Sequence, residues 1–394
     1  MSMNSPNTPS IDSPAVTSPS RSPLLEIVVE FLRLGFLAFG GPPVHFAMME
    51  ERFVRRRQWL SRERFLDLMG AVNLLPGPSS TELAIYLGEV RAGFLGLLLA
   101  GAAWILPAAV MVAGLAWAYQ KYGRLPQVEG ILFGIKPVVV ALILPALWNL
   151  GRTAMKTAGL VALAVAVVAL AVLGFNIITL LIAAGLFWIV VRRARDTIQL
   201  GRASAGAAGL FSATTASSIG LAPLFLYFLK IGAVVFGSGF VLLAILRADL
   251  VVRLHWLTDA QLLDAIAVSQ ATPGPFFTVS TFIGYLLGGW KGAALATIGM
   301  FLPAFVYVAA TAKYLPRLRR SPIAAAFLDG VNAAAVALMA EVSWQFARAA
   351  TNNLPAICLC LLSLFLVFRY KINSAWLVLG GAAAGILLHV LAHP

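Results

Sequence analysis

Three cations lie within apolar stretches, where a charge is costly. Arg33 and Lys230 stand at corresponding places in two similar runs, FLRLGF and FLKIGA, and Lys136 lies in GILFGIKPVVV. An ionised side chain at mid-membrane costs about 2.5–3.5 kcal/mol on insertion scales, so such residues are functional candidates. The pair of Arg33 and Lys230 predicts a cage for a dianion, and Lys136 is a third candidate ligand. Two alternatives stay open: Arg33 and Lys230 reach the membrane interface or pair with Glu26 or Glu30, and Lys136 forms a structural ion pair.

A Pro-Gly-Pro occurs twice, as Pro76-Gly77-Pro78 and Pro273-Gly274-Pro275, each inside an apolar stretch. Because proline lacks the N–H that a helix needs, each motif predicts a broken helix. In hydrocarbon a broken helix is tolerated only where it faces protein or a wet cavity, and its free N–H groups attract anions. Polar residues beside the breaks predict hydrogen bonds to an oxyanion, unless they only cap the helices: Asn73, Ser79, Ser80, Thr81, Gln270 and Thr278.

Five acidic residues are candidate proton carriers if transport is proton-coupled: Asp67, Asp264, Glu82, Glu89 and Glu341. Glu82 lies deepest and has no acidic counterpart, since Val279 stands in the corresponding place. Asp67 and Asp264 correspond to each other and lie near the starts of apolar segments, where capping is the expected role. Signatures such as HExxH, GxSxG and Walker A are missing, so we expect neither an enzyme nor a cofactor nor ATP-driven transport. The cysteines Cys358 and Cys360 predict no disulfide and no metal site.

The composition is that of an integral membrane protein. Of 394 residues, 60% are hydrophobic and 11% are charged, against about 25% charged residues in soluble proteins. The apolar runs are continuous and do not alternate with period two, which predicts an all-α protein rather than a β-barrel. The net charge of +13 comes from basic residues in short loops. This is the positive-inside pattern of a protein in a lipid bilayer, so no nucleic-acid partner is expected.

The chain contains an internal duplication. A shift of 197 residues carries Phe31–Gly41 onto Phe228–Ser238 and superposes the two Pro-Gly-Pro motifs. Further matches continue at a shift of 196, such as Leu106-Pro107 with Leu302-Pro303. We therefore divide the chain into a disordered tail (1–23), a first transporter repeat (24–191), a cytoplasmic linker (192–220) and a second repeat (221–391).

Loop charges indicate that the two repeats are inverted. The first loop is strongly basic in the first half and balanced in the second, whereas the loop after the third segment shows the reverse bias. Two Pro-Gly-Pro segments that fold back as re-entrant hairpins would leave ten crossings, five in each half. An odd number of crossings inverts the second half, with the C-terminus and the N-terminal tail outside. A broken first segment would instead keep the tail cytoplasmic. Parallel halves with simple crossings are the alternative, and 10–12 membrane segments cover both.

A family resemblance rests on these same residues. FLRLGFLAFGGPP, the basic loop ending in Trp59-Leu60 and the first Pro-Gly-Pro resemble the chromate ion transporter family. FLKIGAVVFGSG, Trp256-Leu257 and ATPGPFFTVSTFIGY resemble the second domain of its long, two-domain members. The resemblance covers residues 24–390. It implies a secondary transporter that exports chromate across the bacterial inner membrane, driven by the proton motive force.

The resemblance leaves some alternatives open. Sulfate and molybdate are tetrahedral oxyanions like chromate, so either could be the substrate; a membrane-embedded enzyme is a more distant alternative. The second half has Ser238-Gly239 where the first has Gly41-Pro42, so strict symmetry at the site is not expected. From the sequence we expect Arg33→Ala to abolish transport. Whether the chain acts alone or as a homodimer stays open.

Overall fold

The computed structural model describes residues 22–123, 125–197, 220–235, 239, 241–311, 322–370, 372 and 374–392, which are helical without strands, as predicted. The first half contains α1 (Pro23–Leu37), α2 (Pro42–Met49) continued by a π-helix (Glu50–Arg56), α3 (Arg62–Val72), α4 (Ser79–Tyr122), α5 (Pro126–Ala154), α6 (Ala158–Val172) and α7 (Ile177–Thr197). The second half contains α8 (Leu221–Val234), α9 (Val241–Leu246) continued by a π-helix (Arg247–Arg253), α10 (Asp259–Ala271), a 3-10 turn (Phe276–Thr278), α11 (Val279–Thr311), α12 (Pro322–Ala350), α13 (Leu354–Tyr370) and α14 (Ser374–Ala392).

Local sequence determines where these helices begin. Proline occupies the first turn of α1, α2 and α5, where its missing N–H costs nothing. Ser61 caps α3, and Thr258 forms a capping box with Gln261 at the start of α10. The capping role expected for Asp67 and Asp264 is therefore wrong, since each lies six residues after the N-cap, in the second turn of its helix.

The first apolar segment folds back as a hairpin of α1 and α2. Gly40 adopts a φ of +118°, and the two prolines after Gly41 cannot continue a helix. The returning π-helix packs along α1, with Phe53 stacked on Phe31 at 4.8 Å between ring centroids. An ion pair between Arg52 and Glu30 holds the two arms together. This segment was expected to cross the membrane, but its break returns the chain to the side from which it came.

A second hairpin consists of α3 and the first part of α4, with Pro76-Gly77-Pro78 at its tip. Trp59, just before α3, lies 5.5 Å from the guanidinium of Arg91, near the end of that part of α4. Arg91 also pairs with Glu26 at the start of α1 at 2.8 Å. The open ends of both hairpins therefore meet at one end of the molecule, which we call the Arg91 end. This is the geometry expected of a re-entrant hairpin.

Helix α4 itself reverses direction at Ala92 and Gly93, whose backbone angles are not helical. Gly88 and Gly96 approach so closely that a Cβ on either would collide with the carbonyl group of the other. In a straight helix these residues would be about 12 Å apart. Residues 94–122 thus form a separate helix of about 43 Å that runs away from the Arg91 end. Its far end, beside Tyr119, is called the Tyr119 end.

The second half repeats these elements upside down. Tyr86, near the Arg91 end, shares a hydrogen bond of 2.6 Å with Thr311, the last residue of α11. The Tyr119 hydroxyl donates to Asp264, near the start of α10, at 3.0 Å. The hairpins of the second half therefore open at the Tyr119 end, whereas those of the first half open at the Arg91 end. These contacts support inverted rather than parallel halves.

The hairpin of each first segment changes the expected topology. In each half of the described chain, four helices run between the two ends where five were expected: residues 94–122 with α5, α6 and α7, and residues 290–311 with α12, α13 and α14. Arg192 of α7 pairs with Asp329 near the Arg91 end, whereas Leu221 of α8 lies beside Gly288 at the Tyr119 end. Helix α7 continues through the first residues of the predicted linker and ends at Thr197. The rest of the linker, residues 198–219, for which a cytoplasmic location was predicted, lies outside the described residues.

The last two helices of each half pack against a helix of the other half. Helix α5 contacts α13 and α14 of the second half, and α12 contacts α6 and α7 of the first. Five described helices are long and apolar enough to cross a membrane: α4, α5, α7, α11 and α12. The chain is therefore a multi-pass membrane protein, as predicted.

Candidate functional site

Each Pro-Gly-Pro motif binds to the broken first segment of the other half. The Gly77 N–H donates to the carbonyl of Val235 at 2.6 Å, and the Gly274 N–H donates to the carbonyl of Ala38 at 2.8 Å. Gly77 corresponds to Gly274 in the repeat, and Ala38 to Val235. The hydrogen bonds are therefore a symmetric pair. All four hairpin tips meet at one place between the halves.

One tip leaves a helix N-terminus unpaired at this meeting point. Pro78 is the N-cap of α4 and offers no side-chain hydrogen bond, so the N–H groups of Ser79 and Ser80 have no partner within the helix. The start of α2 offers no free N–H group, because Pro42 and Pro43 have none and the N–H groups of Val44 and His45 donate to the carbonyl of Gly41. Free N–H groups at the positive end of a helix dipole favour an anion. The second Pro-Gly-Pro is followed by a short 3-10 turn instead.

A cavity of about 30 Å³ lies among the tips. It is lined by Gly40, Gly41, Pro42, His45, Pro78, Ser79 and Ser80 of the first half and by Gly239, Gln270, Phe276 and Phe277 of the second. Ser79 and Ser80 correspond to Phe276 and Phe277 in the repeat. One wall is therefore rich in hydrogen-bond donors, and the opposite wall is aromatic apart from the amide of Gln270.

Some predicted ligands lie at this cavity and others do not. Pro78, Ser79 and Gln270 line it, and the remaining residues of the two Pro-Gly-Pro motifs (Pro76, Gly77, Pro273, Gly274 and Pro275) form the tips around it. Asn73, the counterpart of Gln270, is exposed and donates to the carbonyl of Met69 at 3.0 Å. Thr278 donates to the carbonyl of Pro275 at 2.9 Å, which is the capping alternative. Thr81 is buried, and its hydroxyl has no partner among the described residues.

The two corresponding cations lie outside the cavity. Arg33 and Lys230 are exposed, on the outer faces of α1 and α8. The buried face of α1 is formed by other positions, such as Phe31 and Leu34. Glu30, suggested as a partner of Arg33, pairs instead with Arg52 and Arg57. In this conformation the expected cage of two cations is not formed.

Lys136 takes the role of a structural ion pair. Its Nζ lies 3.2 Å from Oδ1 of Asp264, whose Oδ2 accepts the hydrogen bond from Tyr119. Asp264 is 3% exposed, whereas its counterpart Asp67 is exposed. The group joins α5 and α4 of the first half to α10 of the second. It therefore locks the halves together near the Tyr119 end.

Glu82 is a buried carboxyl group behind the tip of the first Pro-Gly-Pro. Its side chain is fully buried, and neither carboxyl oxygen has a hydrogen-bond partner among the described residues. A Cβ built on Gly77 would lie 2.7 Å from Glu82 Oε1, so the carboxyl group lies against the glycine that binds Val235. A buried carboxylate without a donor is costly, and the neutral acid is better accommodated. The charge of Glu82 can thus influence a contact between the halves.

His45 also lines the cavity, although the sequence did not predict it as a ligand. It is 1% exposed, and its ring packs edge-on against Trp104 at 5.1 Å between centroids. Its only sequence signal is its place in the first turn after the Gly40–Pro43 break. That signal could not be recognised without knowing that this break meets the Pro-Gly-Pro tips.

The tips predict a large effect of a single methyl group. Gly77→Ala should lower the free energy of unfolding by about 3 kcal/mol or more, because strain at a φ of +134° adds to overpacking against Glu82. Gly93→Ala is the matched control: its φ is +62°, but its Cβ would meet open space. That variant should lose about 1–2 kcal/mol. Thermal unfolding of the purified variants measures both, and equal losses would contradict a tightly packed tip.

Comparison with known proteins gives consistent results. The family described as chromate transporter matches residues 25–189 and again 222–386. The chromate transport protein of Cupriavidus metallidurans is 32% identical over an alignment 412 positions long, gaps included, which covers 99% of this chain and 100% of that protein. The chromate transport protein of Pseudomonas aeruginosa is 31% identical over 95% of this chain and 94% of that protein. A probable chromate transport protein of Synechococcus elongatus is 31% identical over 92% and 95%. No solved structure matches the chain.

Proposed function

Since the chain belongs to the chromate transporter family, we propose that it exports chromate from the bacterial cytoplasm as a secondary transporter driven by the proton motive force. The names of its relatives support the substrate. The meeting of four broken hairpins between inverted halves supports the mechanism, because a central site between inverted repeats suits alternating access. A transporter needs no catalytic groups, and the proposal uses none.

The cavity among the tips is the proposed anion site, and it is the observation that carries the proposal. The N–H groups of Ser79 and Ser80, their hydroxyls and the Gln270 amide can donate to the oxygens of a tetrahedral anion. The cavity has room for about two water molecules, so chromate enters only when the tips move apart. In this proposal the hydrogen bonds at Gly77 and Gly274 hold the site closed, and they break when it opens.

The charge at the two ends supports the orientation for export. The first-half hairpins at the Arg91 end carry the arginines Arg52, Arg55, Arg56, Arg57, Arg62, Arg64 and Arg91. The corresponding hairpins of the second half carry fewer basic residues near their open ends, Arg247 and Arg253, and the positive-inside rule counts basic residues rather than net charge. By the positive-inside rule the Arg91 end is cytoplasmic. This orientation places the start of α1 in the cytoplasm, not outside as first expected.

Glu82 is the proposed proton carrier. The neutral acid fits its apolar surroundings, and its ionised form would need a donor that only a rearranged tip can provide. Because the carboxyl group lies against Gly77, loss of its proton weakens the seal between the halves at the first Pro-Gly-Pro. A proton equilibrium is thereby linked to opening of the anion site. Asp264, paired with Lys136, is the less suitable carrier.

Flux of labelled chromate into everted membrane vesicles tests the function. We expect respiring vesicles that contain the protein to accumulate chromate, and we expect an uncoupler to stop accumulation. Excess sulfate or molybdate, added separately, measures selectivity, because neutral donors alone do not distinguish tetrahedral oxyanions. Vesicles without the protein are the control. Flux that the uncoupler leaves unchanged would contradict proton coupling, and preferred transport of sulfate would replace chromate as the substrate.

The positions of the exposed cations reverse the first expectation for Arg33. Because Arg33 and Lys230 do not reach the cavity, Arg33→Ala and Lys230→Ala should each retain most chromate transport in the vesicle assay. Surface substitutions usually change stability by less than about 0.5 kcal/mol. Loss of transport in a variant that is still inserted at normal amounts would restore these cations to the site.

A further inference from the structure

His45 is the titratable side chain among the described residues that line the cavity. It is 1% exposed, and neither Nδ1 nor Nε2 makes a well-formed hydrogen bond to a described residue. Trp104 fixes one edge of the ring. The imidazole lies near the carbonyl groups of Ala38 and Gly40 without a well-formed hydrogen bond to either, so at the rim of this cavity it can bind a ligand instead.

Like Ser79 and Ser80, His45 is a polar residue of the first half whose counterpart in the second half is apolar. Leu242 corresponds to His45, and Phe276 and Phe277 correspond to Ser79 and Ser80. The groups that can bind an anion are therefore concentrated on the first half. A dianion in the cavity would meet neutral donors and one imidazole, since Arg33 and Lys230 lie outside. A positive charge is needed there, because a buried anion without a counter-ion is costly.

The other ionisable groups around α2 are already accounted for. Towards the Arg91 end, Glu30 of α1 pairs with Arg52 and Arg57, and Glu26 pairs with Arg57 and Arg91. Asp264 of α10 pairs with Lys136. On the first turn of α4 the titratable group is Glu82, which lies against Gly77 behind the tip. None of these groups is a described lining residue of the cavity.

We propose that His45 is a ligand of the transported anion and takes up one proton from water as the anion binds, an inference that rests on the proposed function. The bound state pairs an imidazolium N–H with an oxygen of the dianion, and release of the anion outside returns the proton there. The inward proton movement that drives export therefore belongs to Glu82 and not to His45. Anion affinity therefore falls as pH rises, by up to about tenfold per pH unit, as linkage to one proton requires. His45 of the first half thus supplies the positive charge that Arg33 and Lys230 do not bring to the cavity.

Equilibrium binding to the purified full chain between pH 6 and 8 tests the proposal, with chromate and sulfate as separate probes. Sulfate keeps its charge over this range, so its pH dependence belongs to the protein. We expect His45→Gln to weaken binding roughly 10- to 100-fold at pH 6 and to abolish the pH dependence of sulfate binding. His255→Gln is the matched control: His255 is exposed, and Gln58 already adopts its backbone angle in the first half (φ 52° against 51°).

Proton uptake provides a second measurement that does not require the His45 variant to fold. Adding sulfate or chromate to the Glu82→Gln variant in weak buffer should take up about one proton per bound anion. No uptake on binding, or unchanged affinity of His45→Gln at every pH, would overturn the proposal while leaving chromate transport intact. A wild-type chain that neither binds nor transports chromate would instead overturn the proposed function.

Discussion

Glu82→Gln will uncouple chromate transport from the proton gradient. Glutamine has the shape of the neutral acid but cannot release a proton, so the seal at Gly77 no longer responds to proton concentration. We expect proton-driven accumulation in everted vesicles to fall about tenfold or more. Exchange of labelled for unlabelled chromate without a gradient should continue, because the anion ligands are unchanged.

Glu89→Gln provides the matched control for this experiment. Glu89 lies on the same arm of α4 but is half-buried near the Arg91 end, away from the tip. Its variant should keep proton-driven accumulation. If Glu82→Gln accumulates chromate as wild type does, Glu82 is not the coupling group. If it loses exchange as well, the carboxyl group serves the structure of the tip instead.

Lys136→Met will destabilise the protein strongly. The substitution leaves the carboxylate of Asp264 buried with Tyr119 as its remaining partner. Breaking one side of a buried ion pair typically costs about 3–5 kcal/mol. Thermal unfolding of the purified protein should show this loss, and adding Asp264→Leu to the same variant should recover most of it, because no charge then remains unpaired.

Lys156→Met measures what an exposed ion pair contributes. Lys156 pairs with Asp329 at 2.8 Å, but its side chain is 59% exposed. Its loss should cost no more than about 1 kcal/mol. Equal losses for the Lys136 and Lys156 variants, or no recovery in the double variant, would contradict a buried lock between α5 and α10.

The large features of the fold were predictable from sequence because they depend on residue type at every point. Long apolar runs give an all-α membrane protein, and a repeat carried by Phe31–Gly41 and Phe228–Ser238 gives two equivalent halves. Inversion followed from loop charge, which is a property of whole segments. The fold-back of the first segment was harder to predict, because Gly40–Pro43 could kink a crossing helix as readily as reverse it.

The site was less predictable, because the face of the helix on which a residue lies decides whether its side chain reaches the cavity. Glu26, Glu30 and Arg33 share one face of α1 at i, i+4 and i+7, so the pattern does not tell that Glu30 is buried and Arg33 exposed. Corresponding residues also diverge: Gln270 lines the cavity, while Asn73 lies beyond the end of α3 and is exposed. His45 became a candidate only when the tips of the two halves were seen to meet.

Above all, we propose that the anion binds among the four hairpin tips. An electron cryo-microscopy map of the full chain with saturating chromate tests it most directly. We predict density for a tetrahedral anion within hydrogen-bond distance of Ser79, Ser80 and Gln270, with the ring of His45 turned towards it. Density for the anion beside Arg33 or Lys230, with these tips closed and empty, would contradict anion binding among the tips.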